Sequence, residues 1–161
     1  MAELEILAIG RLKKDAEAHL EKRYLDRIEK MGASLGFKKA SIREFPESNK
    51  DTGLLRKAEE AETLKTKLKS GTFLFLLDEQ GKTPSSREFA NLINDEMQAG
   101  SNHFSFAIGG PDGHGDEIKA LANTKLSLSK MTLPHGLARI VLMEQIYRAL
   151  TIWSGHPYHR D

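Results

Sequence analysis

Four glycines, Gly109, Gly110, Gly113 and Gly115, fall within the run Ile108-Gly-Gly-Pro-Asp-Gly-His-Gly115. Glycine lets backbone approach a ligand closely and leaves amide groups uncovered at a helix start, which suits a nucleotide-like ligand. The spacing is neither GxGxxG nor the GK[ST] of a phosphate loop. By itself the run reads equally as a tight strand-to-helix turn. A second stretch, Ser127-Leu-Ser-Lys-Met-Thr-Leu-Pro-His135, carries hydroxyls, a proline and a histidine where a long helix should begin. A helix N-terminus lowers the pKa of an imidazole and favours its neutral, proton-accepting form. The plainer reading is that Thr132 or His135 only starts the helix. The third group is the tail, His156-Pro-Tyr-His-Arg160. It offers a ring to stack on a base, imidazoles to move a proton and a guanidinium for a phosphate. The plain alternative is a frayed, solvated end. Arg139 and Arg148 of the last helix read as an ordinary charged face.

These groups need elements to position them. Leu4–Ile9 is a short apolar run closed by Gly10 and reads as a first strand. Leu20, Tyr24, Ile28 and Met31 recur at helical spacing, giving a helix within 13–31. Phe37–Phe45 reads as an exposed or edge strand. Pro46–Gly53 is polar and turn-rich, the best candidate for a mobile loop. Leu54, Ala58, Ala61, Leu64 and Leu68 mark a second helix ended by Gly71. Thr72–Leu77 is continuously apolar, as a strand buried on both faces should be. A loop follows over Asp78–Pro84. Ser85 and Glu88 have capping-box spacing and open a helix with Phe89, Leu92 and Ile93 inward. Phe104–Ile108 is a further buried strand, Asp116–Ala122 a short helix and Leu126–Leu128 a last short strand. Gly136–Trp153 is a long apolar helix. Alternating strands and helices predict a single α/β domain over 1–161, with a mostly parallel sheet and helices on both faces. Ligands of such sheets sit beyond the carboxyl ends of the strands. The loops 78–84, 109–115 and 129–135 fall there.

Composition narrows the classes. The chain has 161 residues, 39% hydrophobic and 29% charged, with 24 Lys and Arg against 23 Asp and Glu, so it is a globular chain and not a disordered one. The net charge of +1 argues neither for nor against a polyanion. Residues 11–43 nevertheless hold ten Lys/Arg against five acids, which is a basic footprint or a solvated helix face. With no cysteine, thiol nucleophiles, disulfides and cysteine-based metal sites are excluded. Two tail histidines with few carboxylates nearby do not make a metal site, and no metal is expected. No leader or membrane span is legible, so the expected location is the cytoplasm. The last helix is apolar around more than one face, through Leu142, Met143, Ile146, Leu150 and Trp153. This predicts that a second subunit covers part of it.

The succession LLD, IGGPDG, LSLSKMTLPH, ARIVLMEQIYRA and HPYHR closely resembles the RlmH family of SPOUT-class methyltransferases, over the whole chain. His114 and Gly115 depart from the family's usual glycine loop, and Asp161 follows the terminal arginine. The resemblance implies a SPOUT-type fold with a C-terminal trefoil knot, which pattern alone would not suggest. It implies a homodimer using S-adenosylmethionine, without metal, to methylate N3 of pseudouridine 1915 in 23S rRNA of the assembled ribosome. No DNA or membrane partner is implied. Carried over by motif, the donor site is Leu77, Gly110, Ser129, Lys130, Met131, Thr132, Leu133 and Pro134. The imide N3–H must be lost for attack, so a base or a stabilising cation is required. His135, Arg139, Tyr158, His159 and Arg160 are the expected catalytic-site residues. Which histidine is the base stays open. The rival readings are a non-catalytic nucleotide- or RNA-binding module, and a small-molecule methyltransferase that turns over without ribosomes.

Overall fold

A computed structural model describes all residues, Met1–Asp161. Five strands, β1 (Ala2–Ile9), β2 (Phe37–Phe45), β3 (Phe73–Lys82), β4 (His103–Ile108) and β5 (Thr124–Leu126), form one sheet in the order β2-β1-β4-β3-β5. Every pairing is parallel. The helices are α1 (Ala16–Ala33), α2 (Gly53–Lys67), α3 (Ser86–Gln98), α4 (Asp116–Leu121) and α5 (His135–Ser154). Parallel strands need crossovers, and the helices supply them on both faces.

The alternation of side chains along each strand decides which helix packs where. Leu4, Ile6 and Ala8 of β1 join Phe75, Phe104 and Phe106 under α1, α3 and α5. Leu7 and Ile9 point the other way, with Leu74, Leu76 and Ala107, and are covered by Ala61 and Leu64 of α2 and Ile118 of α4. Phe75 and Phe106 stack at 4.5 Å, and Phe89 of α3 meets both rings edge-on. The capping box that opens α3 is present, with Ser85 and Glu88 bonding reciprocally.

Two segments differ from the sequence reading, both through pairing with a partner distant in the chain. Asp78–Lys82 is not a loop, because β3 runs on through Lys82. The chain arches so that Leu126 pairs with both Leu77 and Lys82, and the Ser127 N–H donates to the Lys82 carbonyl at 2.8 Å. Gly81 is required at this crossing, since a Cβ there would lie 2.6 Å from the Lys125 carbonyl carbon. That same pairing ends the last strand at Leu126, two residues before its expected end at Leu128. Pro46–Thr52 is irregular, as expected, and is held at two points: Ser48 N–H donates to Glu60 at 2.8 Å, and Arg56 donates to the Lys50 carbonyl at 3.0 Å.

The apolar character of α5 has a different cause from the one expected. Leu142, Met143, Ile146 and Leu150 are at most 1% exposed within the single chain. They fill the space between the sheet, α1 and α3, so they call for no partner subunit. No helix is long and apolar enough to cross a membrane.

Candidate functional site

Beyond the carboxyl ends of β3, β4 and β5 lies a cleft of about 580 Å³. That falls within the range of roughly 300–1,000 Å³ for small-molecule sites. Of the expected donor-site residues, Leu77, Gly110, Ser129, Met131, Thr132 and Leu133 line it. Lys130 and Pro134 are exposed and do not, although both belong to the same loop. The loop is shaped by its own hydroxyls: Ser127 Oγ donates to the Ser129 carbonyl, and Ser129 Oγ accepts from Met131 N–H, both at 2.9 Å. Neither Thr132 nor His135 caps α5. Its N-cap is Pro134, which makes no side-chain bond.

Sequence reasoning missed several lining residues, among them Lys57, Asp78, Asp112 and His114. His114 is 7% exposed and its Nε2 has no hydrogen-bond partner. Burial pushes its pKa down to about 4, so the ring is neutral at pH 7. The only available signal was that a histidine stands where the glycine loop departs from the family pattern. Gly110 also needs its lack of side chain, but not on the cleft side. A Cβ there would meet Glu60 Oε1 at 3.0 Å and Ile9 Cγ2 at 3.2 Å, both in the protein interior.

At the start of α5, His135 lines the cleft and Arg139 lies one turn further on. Arg139 is not part of an exposed face, for it has no exposed surface at all. Its guanidinium bonds Glu44 at 2.6 Å, Glu21 at 2.8 Å and the Gly10 carbonyl at 3.2 Å. Its Nη2 lies 3.1 Å from His135 Nε2. Arginine can only donate, so Nε2 accepts and the neutral ring carries its proton on Nδ1. Burial, and then the adjacent Arg139 charge, lower the His135 pKa. Arg139 therefore positions His135 and does not reach the cleft itself.

The tail is neither frayed nor at the cleft. Tyr158 OH donates to Glu144 Oε1 at 3.0 Å, and its ring meets Tyr147 edge-on at 4.8 Å. Burial and this bond to the Glu144 carboxylate push the phenol up to about 12. Arg148 donates to His159 Nδ1 at 3.1 Å, and His159 Nε2 lies 2.8 Å from Asp161, which also pairs with Arg87 at 2.6 Å. Arg160 is exposed and makes no ion pair. Glu144 and Arg148 lie nine and thirteen residues beyond His135 on α5, and Arg87 lies on α3. His135 and Arg148 are thirteen residues apart, about 20 Å along a helix axis. Within one chain the structure does not bring Tyr158, His159 and Arg160 together with His135.

Comparison with known proteins places this geometry. The family model described as "Predicted SPOUT methyltransferase" matches residues 2–159. A protein of Brucella anthropi named ribosomal RNA large subunit methyltransferase H is 45% identical over 158 residues, covering 98% of this chain and 99% of the relative. Identically named proteins of Methylocella silvestris and a Chelativorans species are 44% and 46% identical, over 98% and 97% of this chain and 99% and 90% of their own. The parallel sheet, the cleft at its strand ends and the near-complete match agree: the chain belongs to the SPOUT methyltransferase family.

Proposed function

We propose that the chain uses S-adenosylmethionine to methylate N3 of pseudouridine 1915 in 23S rRNA of the assembled ribosome, as a homodimer. The observation that carries this reading is the family match over residues 2–159, on a chain whose strand-end cleft is lined by the motif residues. The cleft suits the donor. Leu77, Ile108, Leu126, Leu128 and Leu133 give apolar walls, while the backbone of 127–133 and the glycine turn give polar groups between them. Leu77, Gly110, Ser129, Met131, Thr132 and Leu133 would hold the donor, with Lys130 and Pro134 shaping the loop. When bound, S-adenosylmethionine supplies a methyl group already activated on a sulfonium.

The chain's own task is to align the acceptor and stabilise its deprotonated imide. Both imidazoles have their acceptor nitrogen engaged by an arginine, His135 by Arg139 and His159 by Arg148. As arranged, they orient and donate, the N3 proton passes to solvent water, and the imidate charge left behind falls to the unpaired Arg160. Tyr158, its hydroxyl committed to Glu144, offers its ring for stacking. Because the tail is anchored about 14 to 20 Å along α5 from His135, we assign Tyr158, His159 and Arg160 to the cleft of a partner subunit. The dimer thus follows from the reach of the tail and not from the apolarity of α5. The C-terminal trefoil knot belongs to this reading through the family resemblance alone.

The test is transfer of labelled methyl from S-adenosylmethionine to ribosomes. Incorporation into large-subunit rRNA is expected. Donor binding without transfer would support a binding module, and turnover on small molecules without ribosomes would support the other rival.

A further inference from the structure

Two polar side chains of α2 one turn apart, Arg56 and Glu60, both face the glycine turn and both reach back to the Pro46–Lys50 segment. Arg56 forks onto Asp112 with contacts of 2.6 and 3.1 Å, and its Nη1 donates to the Lys50 carbonyl at 3.0 Å. Glu60 is 4% exposed. Its Oε2 accepts from Ser48 N–H at 2.8 Å, and its Oε1 has no partner. That orphan oxygen lies 3.0 Å from where a Gly110 Cβ would stand. The turn is closed between them by the Gly113 N–H donating to the Gly110 carbonyl at 3.0 Å. Glu47 of the Pro46–Lys50 segment and His135 both stand beside Gly10, where a Cβ would lie 3.5 Å from Glu47 Oε1 and from His135 Nε2.

A buried carboxyl with an unpaired oxygen is an expensive way to fill space, and an apolar residue of similar size would pack there without that penalty. We propose that Glu60 is a positioning residue for the methyl donor, joining the glycine turn to the Ser48 segment so that a donor seated against Gly110 also orders that segment. The inference rests on the donor reading given above. Burial raises the Glu60 pKa, and the nearby Asp112 and Glu47 carboxylates add to this, against the Ser48 N–H and the Arg56 charge.

The test combines calorimetric titration with S-adenosylmethionine and amide hydrogen exchange at Ser48. In the wild-type chain, saturating donor should slow Ser48 exchange about tenfold or more. Glu60→Leu should weaken donor binding about tenfold and abolish the donor-dependent slowing. Glu60→Gln, whose carbonyl still accepts from Ser48, should bind within about threefold of wild type. Unchanged Ser48 exchange in the donor-bound wild type would overturn the inference, whether or not the leucine variant folds. So would a folded Glu60→Leu protein with wild-type affinity. A wild-type chain that binds no S-adenosylmethionine would overturn the donor reading itself.

Discussion

Arg139 donates to Nε2 of His135 across 3.1 Å, and so occupies the one lone pair through which a neutral imidazole could act as a base. His135 is held in a single tautomer by a wholly buried cation, which is itself held by carboxylates from α1 and β2. Arg139→Met should destabilise the fold by about 3 kcal/mol, because it leaves Glu21 and Glu44 without their shared cation. Burial pushes the Glu44 carboxyl up, but Arg139 and the Leu12 N–H outweigh it and hold the pKa below the usual 4.5. The associated stability is present above that value and is lost as pH falls below it. Denaturant titrations should show wild type losing stability below about pH 4.5 more steeply than Arg139→Met.

Gly110 sets a different limit. Its missing Cβ would press on Glu60 and Ile9 and not on the cleft, so a side chain acts by pushing the turn outward. Gly110→Val therefore does not simply plug the donor slot in an intact fold. Gly110→Ala should cost about 1–3 kcal/mol of stability, and donor affinity measured by calorimetry should fall with it. An alanine variant of wild-type stability and affinity would contradict the packing described.

His114 makes a prediction in pH. Its pKa in the fold is about 4, against 6.5 for an ordinary histidine. The unfolded chain therefore takes up the proton first. The stability that depends on a neutral ring is complete above about pH 6.5 and is lost between there and about 4, to a total of roughly 3 kcal/mol. Melting temperatures of wild type should drop across that window, and those of His114→Gln should drop less.

Sequence periodicity located the sheet well. β2 has the limits expected of it, β4 begins one residue early, and the Ser85–Glu88 box opens α3 where its spacing placed it. Those features are local, set by apolar runs and a four-residue cap. What was not legible depends on distant partners. The strand extension to Lys82 exists because Leu126, forty-four residues later, pairs with it. Arg139 looks solvent-facing until Glu44 and Glu21 arrive from elsewhere in the chain. The donor motif did place six of its eight residues on the cleft, while Lys57, on α2, had no local pattern to announce it, and His114 was announced only by its place in the glycine run.

The tail is separable from donor binding. Truncation after Pro157 removes Tyr158 and His159, anchored to Glu144 and Arg148 of α5, together with Arg160 and with Asp161, anchored to Arg87 of α3. Donor affinity should be unchanged and melting nearly so, while ribosome methylation falls by about 10² or more. Mixing the truncated chain with a full-length chain carrying the milder Gly110→Ala, in which donor binding is weakened, should raise activity above that of either chain alone, because one cleft in a mixed dimer then has both an intact turn and a tail. Failure of the mixture, with mixed dimers demonstrated, would place the tail's action within its own subunit.

The proposed activity is tested most directly by mass spectrometry of 23S rRNA fragments, after the protein and S-adenosylmethionine have been incubated with ribosomes lacking the modification. The account predicts a single added methyl group at N3 of pseudouridine 1915, formed on assembled ribosomes and not on free rRNA or the nucleoside. A methyl group at another nucleotide, or none from a protein that binds the donor, would contradict it.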